Sequence, residues 1–159
     1  KNMLSQNFIS AIDFEESSKI RRSAQVEHER KVAIFDLLEE NSFTLRGGPD
    51  GPYHLRIQIK ENRLIFNLNS NDDTFLLDIS LAVAIFRKIV KDYFLICDSY
   101  FQAIKTKAPS QIEAIDMARR GLHDEGAELL QSRMAEQVEM DLQTARRLFT
   151  LVCVLHIRA

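Results

Sequence analysis

Asp116, Arg119, Arg120 and His123 are separated by three, four and seven positions counted from the first, a spacing that puts them on one broad face of a helix. Two guanidiniums beside an imidazole are the groups that hold a phosphate or a carboxylate. On that spacing Arg119 and Arg120 are the candidate ligand-binding residues. His123 is the candidate proton-transfer group, and Asp116 the carboxylate that would orient it. The ordinary alternative is a solvated helix face carrying Asp–Arg pairs, a common and weakly stabilising pattern, and it has the greater weight. Gly121 lies inside this group, and an interior glycine costs a helix about 1 kcal/mol. Its presence points to a close approach of backbone or ligand there.

Cys153 and His156 are three apart on another helical pattern, and Cys97 lies on an apolar helix of its own. Two thiolates and an imidazole can bind zinc, but no fourth ligand is evident. Both cysteines stand among Leu, Ile, Val and Phe, where a thiol behaves as a small buried hydrophobe. The core reading therefore leads, and we expect no metal and no cofactor. A Cys–His nucleophile pair meets the same objection, since apolar surroundings raise a thiol's pKa.

Three further features are weaker. Gly47-Gly48-Pro49-Asp50-Gly51 lacks the G-x-x-x-x-G-K-[ST] pattern of a phosphate cradle and reads as a connector. Arg146-Arg147 adds to a basic patch, or covers apolar surface with its long stems. A helix rich in Phe86, Tyr93, Phe94, Tyr100 and Phe101 has enough apolar positions to face both a sheet and a second body, which points to a homodimer.

The elements that must position these groups follow from the hydrophobic period. Residues 8–14 partly alternate and read as a strand, followed by a polar loop over 15–23. Val26 to Glu40 changes to helical spacing, with Ser23 as its N-cap and Asn41-Ser42 as its stop. Three alternating runs then follow: Tyr53 to Lys60, Leu64 to Leu68, and Phe75 to Leu81. Short turns at 61–63 and 70–73 join them into an antiparallel meander, apolar on one face. Val83 to Lys105 reads as a long helix. Another opens at Pro109, where Ser110 and Glu113 have capping-box spacing, and Gly121 and Gly126 invite a break in it. Asp141 is placed to cap a last helix through Ala145, Leu148, Phe149, Val152 and Leu155. Strands followed by helices give an α+β fold, with the helices packed on one face of the antiparallel sheet.

The chain has 159 residues, 45% hydrophobic and 28% charged, which is enough for one domain with its own core. We expect a single domain over residues 1–159, with 1–25 a partly mobile N-terminal strand and loop. The net charge of -2, with both signs interspersed, counts against a nucleic-acid binder. No apolar run reaches membrane-spanning length, and no signal peptide opens the chain, so no membrane partner is expected.

Several blocks also carry a resemblance. The run Glu29-Arg30-Lys31-Val32-Ala33-Ile34-Phe35-Asp36-Leu37-Leu38-Glu39-Glu40-Asn41 is one, and Pro109-Ser110-Gln111-Ile112-Glu113-Ala114-Ile115-Asp116-Met117 another. Arg119-Arg120-Gly121 and Thr144-Ala145-Arg146-Arg147-Leu148-Phe149-Thr150-Leu151 complete the set. Together they resemble a small family of uncharacterised alphaproteobacterial proteins of unknown function. The resemblance runs from the first helix to the end and implies a bacterial, cytoplasmic protein. It brings no catalytic motif and no cofactor.

Three functions follow in order. The first is a non-enzymatic interaction or regulatory protein, homodimeric, with its protein partner unspecified. The second is a binder of, or an enzyme acting on, a small phosphorylated or carboxylated ligand through Arg119, Arg120, His123 and Asp116. The last is a nucleic-acid binder.

Overall fold

The computed structural model describes residues 7–15 and 24–155. Its elements run β1 (Ile9–Glu15), α1 (Ala24–Glu39), β2 (Phe43–Leu45), β3 (Tyr53–Lys60), β4 (Arg63–Ser70) and β5 (Phe75–Ala82). Then follow α2 (Ala84–Thr106), α3 (Pro109–Met134), β6 (Val138–Met140) and α4 (Leu142–Leu155). The polar loop expected over 15–23 and its Ser23 cap fall almost wholly outside the described residues.

The three alternating runs form the meander β3-β4-β5, with antiparallel register from Tyr53↔Ser70 to Lys60↔Arg63 and from Arg63↔Ala82 to Asn69↔Phe75. The first hairpin turns through Glu61 and Asn62, both at positive φ, the backbone that a two-residue turn requires. The sheet is mixed, because β1 joins it as a parallel edge strand beside β3. A parallel neighbour needs a long crossover, and α1 with the following segment supplies it. A second, two-stranded sheet pairs β2 with β6, in register Phe43↔Met140. Each of these strands is three residues long, too short for alternation to reveal it in the sequence.

The sheet's inner face carries Tyr53, Leu55, Ile57, Leu64, Phe66, Leu68 and Ile79, all buried, while its outer face carries His54, Arg56, Asn67 and Asp78. The inner face shares one core with the helices. α4 is the innermost helix. From Leu148 to Leu155 every position but Thr150 is buried, and a helix apolar nearly all round belongs inside. It packs between α1 and α3, and α2 packs against α3.

Local chemistry explains the helix ends. Asp141 Oδ1 accepts the Thr144 amide at 2.9 Å, so the expected cap of α4 is present. The α3 cap is shifted from the expected pair. Pro109 takes the first helical position, where its missing N–H costs nothing, and the Gln111 side chain accepts the Ala108 amide at 3.3 Å. Ser110 lies inside the first turn and Glu113 just past it, and both are exposed. Neither Gly121 nor Gly126 interrupts α3.

Candidate functional site

Four helices converge on one cleft of about 470 Å³. α1 lines it with His28, Glu29, Val32, Ala33 and Asp36. Tyr93 of α2 reaches it, as do Arg119, Arg120 and His123 of α3. α4 contributes Gln143, Arg146, Arg147 and Thr150. The helical spacing read from the sequence did gather Arg119, Arg120 and His123. Arg146 and Arg147, read as a separate patch, join them because α4 packs against α3.

The role expected for Asp116 is different in the structure. Its carboxylate accepts Arg119 through Nε at 3.1 Å and pairs with Arg120 Nη2 at 2.8 Å. Arg119 also lies over the Tyr100 ring, 5.0 Å from its centroid. The two guanidiniums hold the Asp116 carboxyl below its ordinary pKa, chiefly through the Arg119 hydrogen bond. Asp116 therefore positions arginines and does not orient His123. The reason is distance along the helix: arginines three and four positions on are reached first, and the imidazole lies two turns away.

His123 turns inward instead. Its ring sits 5.4 Å from Tyr93 and 5.5 Å from Phe149, and its Nε2 lies 2.8 Å from Thr150 Oγ1 of α4. Burial, and then the nearby Arg146, depress its pKa to about 4. At neutral pH it is an uncharged imidazole, suited to hydrogen bonding and too weak a base for efficient proton abstraction.

The remaining arginines are also braced. Arg146 Nη1 pairs with Asp124 one helix away, and Arg147 Nη1 donates to the Glu40 carbonyl at 3.0 Å. Arg147 has no carboxylate within ion-pair reach among the described residues. Across the cleft, Glu29 is half-buried, and desolvation raises its pKa against the opposing pull of Arg119 and His28. Sequence reasoning passed over Glu29 and Asp36. Their signal was spacing, since Glu29, Val32, Ala33 and Asp36 fall on one face of α1.

Gly121 does not serve a close approach within the chain, because nothing stands within 4 Å of where its Cβ would be. The close approach belongs to Gly126, where a Cβ would overlap the Phe149 ring. Cys97 and Cys153 are free and buried. Burial raises the Cys97 pKa to about 11 and lifts that of Cys153 as well, so both are protonated at neutral pH. His156, the third member of the zinc alternative, lies outside the described residues. Among the described residues no group of three or more His, Cys, Asp and Glu is placed to hold a metal ion. Nor is any described helix long and apolar enough to cross a membrane.

Comparison with known proteins adds identity. A family model described as "Uncharacterised protein family (UPF0262)" matches residues 6–158. A UPF0262 protein of Paramagnetospirillum magneticum is 55% identical over 150 residues, covering 94% of this chain and 96% of that protein. One from Cereibacter sphaeroides is 53% identical over 155 residues, covering 94% and 98%. One from Rhodopseudomonas palustris is 53% identical over 152 residues, covering 96% and 93%. No solved structure matches the chain. The resemblance carried by the α1, α3 and α4 blocks thus extends over nearly the whole sequence, and the chain belongs to the UPF0262 family of alphaproteobacterial proteins, whose function is unassigned.

Proposed function

We propose that this chain is a non-enzymatic binding protein of the bacterial cytoplasm that holds a small phosphorylated or carboxylated ligand in the cleft between α1, α3 and α4. One observation carries this reading: Arg119, Arg120, Arg146 and Arg147 reach the same cleft from two helices. Guanidinium forks match carboxylate and phosphate oxygens, and side-chain partners already hold three of the four in place. The volume of about 470 Å³ suits a small metabolite. The depressed His123 and the diversion of Asp116 to the arginines weigh against proton-transfer chemistry. Two free thiols favour a reducing compartment.

The test is calorimetry and thermal shift with inorganic phosphate, nucleotides, phosphorylated sugars and small carboxylates. Parent, Arg120→Ala and Arg147→Ala are run side by side. A ligand at about 100 times its dissociation constant adds roughly 2.7 kcal/mol, a midpoint rise of several degrees. We expect that rise in the parent and its loss in Arg147→Ala. A parent that responds to no anion ends the reading.

A second reading, the homodimer, has its own observation. The cluster of exposed apolar side chains lies on α1, where Val32, Phe35 and Leu38 are 42%, 64% and 41% exposed. The α2 face first suspected contributes only Leu95 and Ile104. Sedimentation of the parent and Phe35→Glu decides it. A dimer dissolved by the substitution supports the reading, and a parent that stays monomeric at high concentration removes it.

A further inference from the structure

The two walls of the cleft carry opposite charge. Every arginine comes from α3 or α4, and both carboxylates, Glu29 and Asp36, come from α1. Seven positions, or two helical turns, separate the carboxylates, so they stand one above the other on the same face. Val32 and Ala33 lie between them, and Tyr93 joins the lining from α2.

The walls also differ in what is already satisfied. Asp116 answers Arg119 and Arg120, Asp124 answers Arg146, and the Glu40 carbonyl answers Arg147. Neither Glu29 nor Asp36 has a side-chain hydrogen bond or ion pair with any described residue. Asp116 and Asp124 offset only two of the four arginines, so uncompensated charge of both signs remains, positive on the α3–α4 wall and negative on the α1 wall. A purely anionic ligand seated against the arginines would face two carboxylates across the cavity, and in a partly desolvated site that repulsion is costly. A cationic group on the same ligand would turn it into attraction.

We infer that the ligand is a small zwitterion, its carboxylate or phosphate held by the arginine wall and its ammonium held by Glu29 on the facing wall, where Asp36 adds negative charge, with a short alkyl stem against Val32 and Ala33. An ammonium has three donors and no acceptor, which suits an acceptor-only carboxylate. Amino acids and aminoalkyl phosphates share this chemistry. His28, on the same wall, adds positive charge only when protonated. The inference rests on the anion-binding reading and narrows its ligand class.

The experiment compares matched pairs by calorimetry: 4-aminobutanoate with butanoate, 2-aminoethyl phosphate with ethyl phosphate, and each common α-amino acid with its deamino analogue. Circular dichroism confirms that each variant is folded. For at least one pair, the amine-bearing member is expected to bind about tenfold tighter or better, the scale of one charged hydrogen bond. Glu29→Gln should erase that preference while leaving the deamino partner's affinity in place, and Arg147→Ala should weaken both members. If deamino compounds bind as well as their amines in every pair, or if Glu29→Gln leaves an amine preference intact, the zwitterion is wrong and the anion site survives. If no member of any pair binds, the inference falls, and the anion site falls with it only if inorganic phosphate, nucleotides and phosphorylated sugars also leave the parent unmoved.

Discussion

Two histidines in this molecule are pushed in opposite directions, and each gives a pH dependence of definite sign. His123 is driven down to about 4 by burial and by Arg146. The unfolded chain, with an ordinary histidine pKa of about 6.5, takes up the proton first as pH falls. Stability is therefore lost on acidification between those two values. Proton NMR should give a His123 midpoint near 4, and Arg146→Gln should move it upward. An ordinary midpoint would show that the ring is not enclosed by Tyr93 and Phe149. His54 behaves the other way. Its Nδ1 lies 2.8 Å from Asp73 and its Nε2 2.7 Å from Asp13, and these carboxylates raise its pKa, the Asp73 hydrogen bond most of all. Arg56 also approaches Asp13, at 3.9 Å. A raised histidine contributes stability that is complete below about pH 6.5 and lost as pH climbs through its folded value. Parent and His54→Gln should thus differ most in melting temperature near pH 5, by up to about 1 kcal/mol or a few degrees, and converge by pH 9. A gap that widens with pH would contradict the clamp.

At the scale of elements, the two glycines of α3 look alike in the sequence and do different work. Gly126 lets α3 close onto α4, because the Phe149 ring fills the space a Cβ would take, and Phe149 is itself fully buried. Gly121 faces open space. Gly126→Ala should cost roughly 1–3 kcal/mol by overpacking, while Gly121→Ala should add about 0.5–1 kcal/mol by favouring the helix. Urea unfolding of the two variants reads both, and equal effects would refute the assignment. Helix existence was legible because 3.6-residue periodicity is a local property. The role of each glycine was not, because it depends on which helix lies opposite. The α3 cap illustrates a finer limit. Ser110 and Glu113 had the right spacing, but Pro109 starts the helix two residues earlier and hands the cap to Ala108 and Gln111.

Across the whole molecule, a few buried polar side chains join elements that hydrophobic burial alone would leave free to slide. Asn41, read from the sequence only as a helix stop, donates to the Ile9 and Leu37 carbonyls at 3.0 and 2.7 Å and accepts the Ile9 amide at 2.7 Å. It fastens the end of α1 to the parallel edge strand β1. Thr144 does similar work for α4, accepting the Ser42 amide at 2.9 Å just before β2. Asn41→Ala would strand the Ile9 groups in the interior and should cost roughly 2 kcal/mol or more. Hydrogen exchange should show β1 amides losing protection ahead of β3 and β4. Uniform loss across the sheet would mean that β1 is held by other contacts.

The sequence by itself determined the four helices, the meander, most of the inward-facing residues of its strands (Phe75, past a bulge, is exposed) and the grouping of Arg119, Arg120 and His123 on one helix. Each depends on period and spacing along a single segment, which the covalent chain carries locally. Only the tertiary structure decided that β1 runs parallel to β3, and that β2 finds β6 nearly a hundred positions on. It also decided that Asp116 serves arginines and not the imidazole, and that Glu29 and Asp36 face the arginine wall. These are choices among partners distant in sequence or on different helices. They are made when α4 is buried between α1 and α3, and no local pattern distinguishes one partner from another.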